Sequence, residues 1–208
     1  AYANAPENGL VRSRDVQGIR TTVRLIPPQL EALRDRVTNA TDLDSAVKEQ
    51  DRQLCFLVNL GPDGKHFKGD VMYSGAQSKE EFLQQAYDLN FNWEAMVSLR
   101  CGGRTYAPVL SSLENTYSLT KDRNVMLVFV PETSGDPAFY GSEQLELVIA
   151  DEHLGTGVQH FTFDRAALRK VPQPTRRTWP APSAPGTHAS PAPCGSCPRS
   201  RSCRCWVT

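Results

Sequence analysis

The chain has no apolar run approaching the roughly 18–20 residues that a membrane-spanning helix needs. It also has no apolar stretch of the kind found at the centre of a secretory leader. It starts at Ala1 rather than at a methionine, which fits a processed mature form or a trimmed chain and leaves secretion open. Acidic residues are absent from Val171 onwards: all 23 lie before it. Arg176, Arg177, Arg199, Arg201 and Arg204 lie after it. Residues 1–170 therefore carry 18 basic and 23 acidic groups, a net of −5, and the remainder carries +5. A mildly acidic globular part gives no reason to expect nucleic acid or an anionic membrane as its partner.

Signatures of catalysis and of cofactor binding are missing as well. There is no Gly-x-Ser-x-Gly elbow and no His-Glu-x-x-His pair. Gly155-Thr156-Gly157 lacks the third glycine and the following helix of a phosphate-binding loop. Asp42-Leu43-Asp44 and Asp63-Gly64 supply too few oxygens in close succession for calcium and read as turns. No cofactor is expected. No βαβαβ alternation is visible, which argues against a doubly wound sheet.

What the chain does have is alternation. Ile19, Thr21, Val23 and Leu25 share one face of a strand, and Gly9–Arg14 reads as a short edge strand before it. Pro27-Pro28 stops that strand and suits the first turn of a helix on Leu30, Leu33 and Val37. Thr38–Ser45 reads as a loop. Leu54, Phe56, Val58 and Leu60 mark a well-buried strand, Pro62-Asp63-Gly64 a turn, and Lys65–Met72 its returning partner. Ser78 and Glu81 form a capping box for a helix on Phe82, Ala86 and Leu89.

The stretch Phe91–Leu99 has period two, which predicts a strand with Trp93 and Val97 on one buried face. Gly102-Gly103 reverses the chain, and Thr105–Leu110 returns beside it. Val125–Val130 is apolar on both faces, as a central strand is. Glu132–Ser142 reads as a loop. Leu145, Leu147 and Ile149 open the next strand, and Phe161 and Phe163 mark the last, with His160 on its opposite face. Asp164 caps a short helix over Arg165–Lys170.

The sum is a mainly β chain: a flexible lead-in over residues 1–8, then an antiparallel β-sandwich over 9–170 with two or three helical insertions. Residues 171–208 hold eight of the 15 prolines and almost no aliphatics, a composition that predicts a disordered tail.

Several phrases in order carry a resemblance: Val23-Arg24-Leu25-Ile26-Pro27-Pro28, Pro108-Val109-Leu110, Glu114-Asn115-Thr116-Tyr117-Ser118-Leu119, Val125–Val130, and Gly155-Thr156-Gly157 with Phe161-Thr162-Phe163. Across residues 9–170 the chain resembles an uncharacterised group of cell-envelope, lipoprotein-like proteins of Bacteroidota-type bacteria. That resemblance implies a cell-envelope or secreted location and supplies no catalytic residue. The lipobox cysteine of a lipoprotein is absent.

Three functional readings follow. The first is a non-catalytic binding or structural module whose loops meet a protein or glycan. Its candidate contacts are Tyr117 in the Ser111–Asn124 loop and Phe139 and Tyr140 in the Glu132–Ser142 loop, where aromatic rings give contact area at little entropic cost. The bland alternative is that Tyr117 and Phe139 fold back to plug the sandwich ends. The second is a hydrolase using Asp151, His153 and His160, with a histidine as base and an aspartate to orient it. The third is a zinc-dependent nucleic-acid binder through Cys194, Cys197, Cys203 and Cys205, with His188 nearby. Its spacer of five residues is short against the roughly 12–20 of structural zinc modules. Cys55 reads as a small buried hydrophobe, and a Cys55–Cys101 bridge is left open.

Overall fold

In the computed structural model, which describes residues 2–38, 43–114 and 120–172, nine strands pair into two antiparallel sheets. The first sheet has the order β1 (Val11–Val16), β2 (Ile19–Ile26), β3 (Leu54–Pro62), β7 (Arg123–Phe129), β6 (Leu110–Leu113). The second has the order β5 (Arg104–Tyr106), β4 (Val97–Cys101), β8 (Gln144–Asp151), β9 (Gly157–Asp164). The fold is the mainly β, antiparallel sandwich that the alternation predicts.

Alternation positions the core. In β2 the residues Ile19, Thr21, Val23 and Leu25 are fully buried, while Arg20 is exposed and Thr22 and Arg24 are half-buried. Leu25 pairs with Phe56, and Phe56 with Leu127, so one apolar row crosses three strands. Phe56 meets Phe129 of its own sheet and Phe163 of the other, each with ring centroids 5.7 Å apart. Leu99, Leu145, Leu147 and Phe161 complete the same cluster from the second sheet. Burying such rings and aliphatic groups, at about 1.5–3 kcal/mol each, is what holds the two layers together.

Helices occupy the connections. They are α1 (Pro28–Thr38), α2 (Leu43–Gln50), α3 (Lys79–Phe91), α4 (Trp93–Met96), α5 (Pro137–Gly141) and α6 (Ala166–Arg169). Ser78 caps α3 as the sequence predicts, its hydroxyl accepting the Glu81 N–H at 3.1 Å. The Glu81 carboxylate reaches back one residue further than expected, to the Gln77 N–H at 2.7 Å. Asp164 likewise accepts the Ala166 N–H at 2.9 Å ahead of α6.

Four local expectations are corrected. Phe91–Met96 is not strand: α3 runs through Phe91, and Trp93–Met96 forms α4 before β4 begins at Val97. Trp93 is buried as expected, but from a helix, and its indole N–H donates to the Leu89 carbonyl at 2.6 Å. Lys65–Met72 does not return as a strand either. Asp63 Oδ1 captures the N–H groups of Lys65, His66 and Phe67 at 2.9, 2.8 and 3.1 Å, so these donors are not available to a ladder. The loop over Thr38–Ser45 gives way to α2 from Leu43, and the Glu132–Ser142 loop contains α5.

Residues 2–8, expected as a lead-in, carry two 3-10 turns, and Tyr2 and Ala3 pack against the core. Cys55 and Cys101 lie in different sheets and are not bridged to one another. No helix among the described residues is long and apolar enough to cross a membrane. The tail cysteines, and the tail from residue 173 onwards, lie outside the described residues, as does Tyr117.

Candidate functional site

Helix α5 is short, and its first turn is specified locally. Asp136 Oδ1 accepts the Ala138 N–H at 2.9 Å, and Pro137 fills a first-turn position where no N–H is needed. The other oxygen, Oδ2, accepts the Tyr106 hydroxyl at 3.0 Å and Arg104 Nη1 at 3.1 Å. Burial works to raise the Asp136 pKa, but these donors outweigh it and hold the carboxyl below the usual range. The Tyr106 hydroxyl is pushed up to about 12, by burial and by the charge it donates to. The β4–β5 turn packs onto the same helix. A Cβ on Gly102 would lie 2.6 Å from both Cα and O of Ala138, and φ there is +55°, so only glycine fits.

The far end of α5 is held by Arg165. Its Nε donates to the Ser142 carbonyl at 2.8 Å and its Nη2 to the Phe139 carbonyl. Those carbonyls are among the groups a helix end leaves without partners. Burial pulls the Arg165 pKa down.

Between these anchors lies a row of three aromatic rings. Phe139 is 1% exposed and packs edge-on against Tyr106 and Tyr140, with centroids 5.2 Å away in each case. Phe139 therefore offers no ring face to solvent and plugs the sandwich end. Tyr140 is half-buried, and its hydroxyl donates to the Arg52 carbonyl at 3.1 Å.

Three clefts border this segment. One of about 510 Å³ is lined by Tyr140, Arg165, Pro28, Gln29, Asp51 and Leu168, among others. A second, about 500 Å³, lies beyond Ser142 on the side of Arg100 and Arg104. A third, about 330 Å³, runs past Tyr106, Val109 and Thr133. Pro28, Asp51, Tyr140 and Arg165 come from four separate stretches of chain, so no local motif announces the first cleft. Asp136-Pro137, which reads from sequence as part of a loop, is the cap and first-turn proline of α5.

The proposed Asp/His cluster does not assemble. Asp151 Oδ1 accepts the N–H groups of His153 and Leu154 at 3.0 and 2.9 Å. Its Oδ2 accepts both the N–H and the hydroxyl of Thr156 at 2.8 Å. The carboxylate is therefore filled by its own turn. His153 Nε2 lies 3.4 Å from Asp88 on α3, and His160 Nδ1 lies 3.1 Å from Glu146 on the outer face of the second sheet. Three side chains with three different partners form no relay.

No protein-family profile and no curated protein matches the chain. Two solved structures do. A DUF4426 family protein from Pseudomonas aeruginosa PAO1 shares 11% identity over 75% of this chain and 93% of its own, with a TM-score of 0.35. A protein of unknown function from Burkholderia pseudomallei K96243 shares 10% identity over 76% of this chain and 80% of its own, also with a TM-score of 0.35. Nothing in these comparisons supports a Bacteroidota-type lipoprotein family specifically, and that resemblance rests on its sequence phrases alone.

Proposed function

We propose that the chain is a non-catalytic binding module of the bacterial cell envelope, and that it meets its ligand at the sandwich end around α5. The observation that carries this reading is the grouping of three clefts around one short, doubly anchored helix, with the half-buried ring of Tyr140 on the wall of the largest. Rigid anchoring by Asp136 and Arg165 fixes the face before a ligand arrives, which lowers the ordering cost of binding. Location in the envelope is supported only by the sequence phrases noted above. The test is retention of the purified chain on envelope fractions and glycan arrays, before and after Tyr140→Ala, with circular dichroism to confirm folding. Loss of retention in a folded variant supports the reading. Unchanged retention removes this face.

A further inference from the structure

The Tyr140 cleft contains one cation that the described fold does not neutralise. A guanidinium has five N–H donors. Arg165 uses Nε and one N–H of Nη2 on uncharged carbonyls, and its remaining donors meet none of the described residues. Asp51 and Glu143 act on it through space without an ion pair, and Glu143 is already joined to Arg169 at 3.0 Å. The Cys101 thiol beside it is held neutral by burial, which raises its pKa. A half-buried cation with no carboxylate in direct contact is costly for a fold to keep.

We propose that this cleft binds a small hydroxylated carboxylate, such as a hexuronic sugar, with the carboxylate on Arg165 and the ring against Tyr140. This inference rests on the binding-face reading and deepens it. The remaining guanidinium donors match two carboxylate oxygens. Tyr140 and Leu168 supply the apolar wall against which a sugar ring lies. A volume of about 510 Å³ suits a ligand of this size. One cation matches one negative charge. A phosphate dianion would add a second, facing Asp51 on the same wall.

The experiment is calorimetric titration of the full chain with sodium glucuronate, glucose and inorganic phosphate. Glucuronate is expected to bind about tenfold or more tightly than glucose, since a charge-assisted contact is lost in the neutral sugar. Phosphate is expected to bind more weakly than glucuronate. Asp51→Asn removes a repelling charge without touching Arg165, and should tighten glucuronate binding about two- to fivefold. Arg165→Lys keeps the charge and loses the fork, and should weaken it. Equal affinity for glucose and glucuronate overturns the proposal. So does phosphate binding tighter than glucuronate, or an Asp51→Asn variant with unchanged affinity. If no probe binds while Tyr140→Ala still abolishes envelope retention, the carboxylate assignment falls and the binding face stands.

Discussion

At one end of the sandwich, carboxylates are filled from inside the chain; at the other, a guanidinium keeps donors to spare. The first end joins the β1–β2 turn, the residues after Pro62 and the Asp151–Gly157 turn. Asp63 N–H donates to the Gly18 carbonyl at 2.8 Å, and Gln17 Oε1 lies against Gly155. Asp151 accepts four hydrogen bonds, and Thr156 passes the chain on to Gln159, whose amide reaches Thr21 of the opposite sheet at 3.2 Å. The second end has the same ingredients in Asp136, Arg104 and Tyr106, but Arg165 is matched only by carbonyls. Of these groups only Gln159 Oε1 is buried without a partner among the described residues, and a network closed this far stabilises and specifies a fold. An unsaturated donor set in a cleft is what a ligand can complete.

Acid should separate the two ends most strongly, because it removes several charges at once. Asp63 is held well below the usual carboxylate range, first by the His66 side chain and then by the N–H groups of Phe67, His66 and Lys65. Asp88 is lowered by the Gln84 amide, with Asn92 and His153 adding to it against burial. A folded pKa below the unfolded value of about 3.9 gives stability that is complete above that pH and lost as pH falls through the folded value. Both lie at the first end, Asp88 through His153 of the Asp151–Gly157 turn, while Asp136 is the lowered carboxylate of the other. Hydrogen exchange below pH 4 should therefore open the amides of Lys65–Phe67 before those of Ala138–Gly141. The reverse order would break the comparison.

Next in size is Asp151→Ala. It strands two buried N–H groups, a part-buried one and a buried hydroxyl, and should cost about 3 kcal/mol or more. In a domain of this size that is a melting-temperature drop of about 6–12 °C. Asp151→Asn keeps an acceptor oxygen and should cost less. A folded Asp151→Ala protein with native stability would mean that the turn does not depend on the carboxylate, and would reopen a chemical role for it.

The saturated end was partly legible in the sequence, and the reasons are local. Asp63 and Asp151 sit within a few residues of the donors they collect, and Pro62-Asp63-Gly64 is a turn signal, whereas Asp151 reads from sequence as a candidate for hydrolysis. The sheets were legible because each buried strand alternates within itself. Phe91–Met96 misled because Phe91, Trp93 and Ala95 fit period two. The competing helical spacing of Phe82, Gln85, Leu89 and Trp93 continues α3 and wins through packing. The Tyr140 cleft was not legible as a site. Tyr140 itself could be singled out as an aromatic in a long loop, but Pro28, Asp51 and Arg165 meet it only through tertiary structure.

The smallest expected effects lie at Tyr140, and they sharpen the comparison by separating ring from hydroxyl. Tyr140→Ala removes a half-buried ring from the edge of Phe139, which should cost about 1–2 kcal/mol. Tyr140→Phe keeps that contact and loses one partly exposed hydrogen bond to the Arg52 carbonyl, which should cost about 0.5 kcal/mol. Both costs fall below that of Asp151→Ala, because this end has less of its polar chemistry closed upon itself. Binding should follow a different order from stability. If the ring is the contact, Tyr140→Phe retains glucuronate and envelope binding while Tyr140→Ala loses both. Measuring melting temperature and affinity on the same two variants decides the matter. A Tyr140→Phe protein destabilised as far as Asp151→Ala would show that the hydroxyl belongs to a closed network, and that the two ends are built alike.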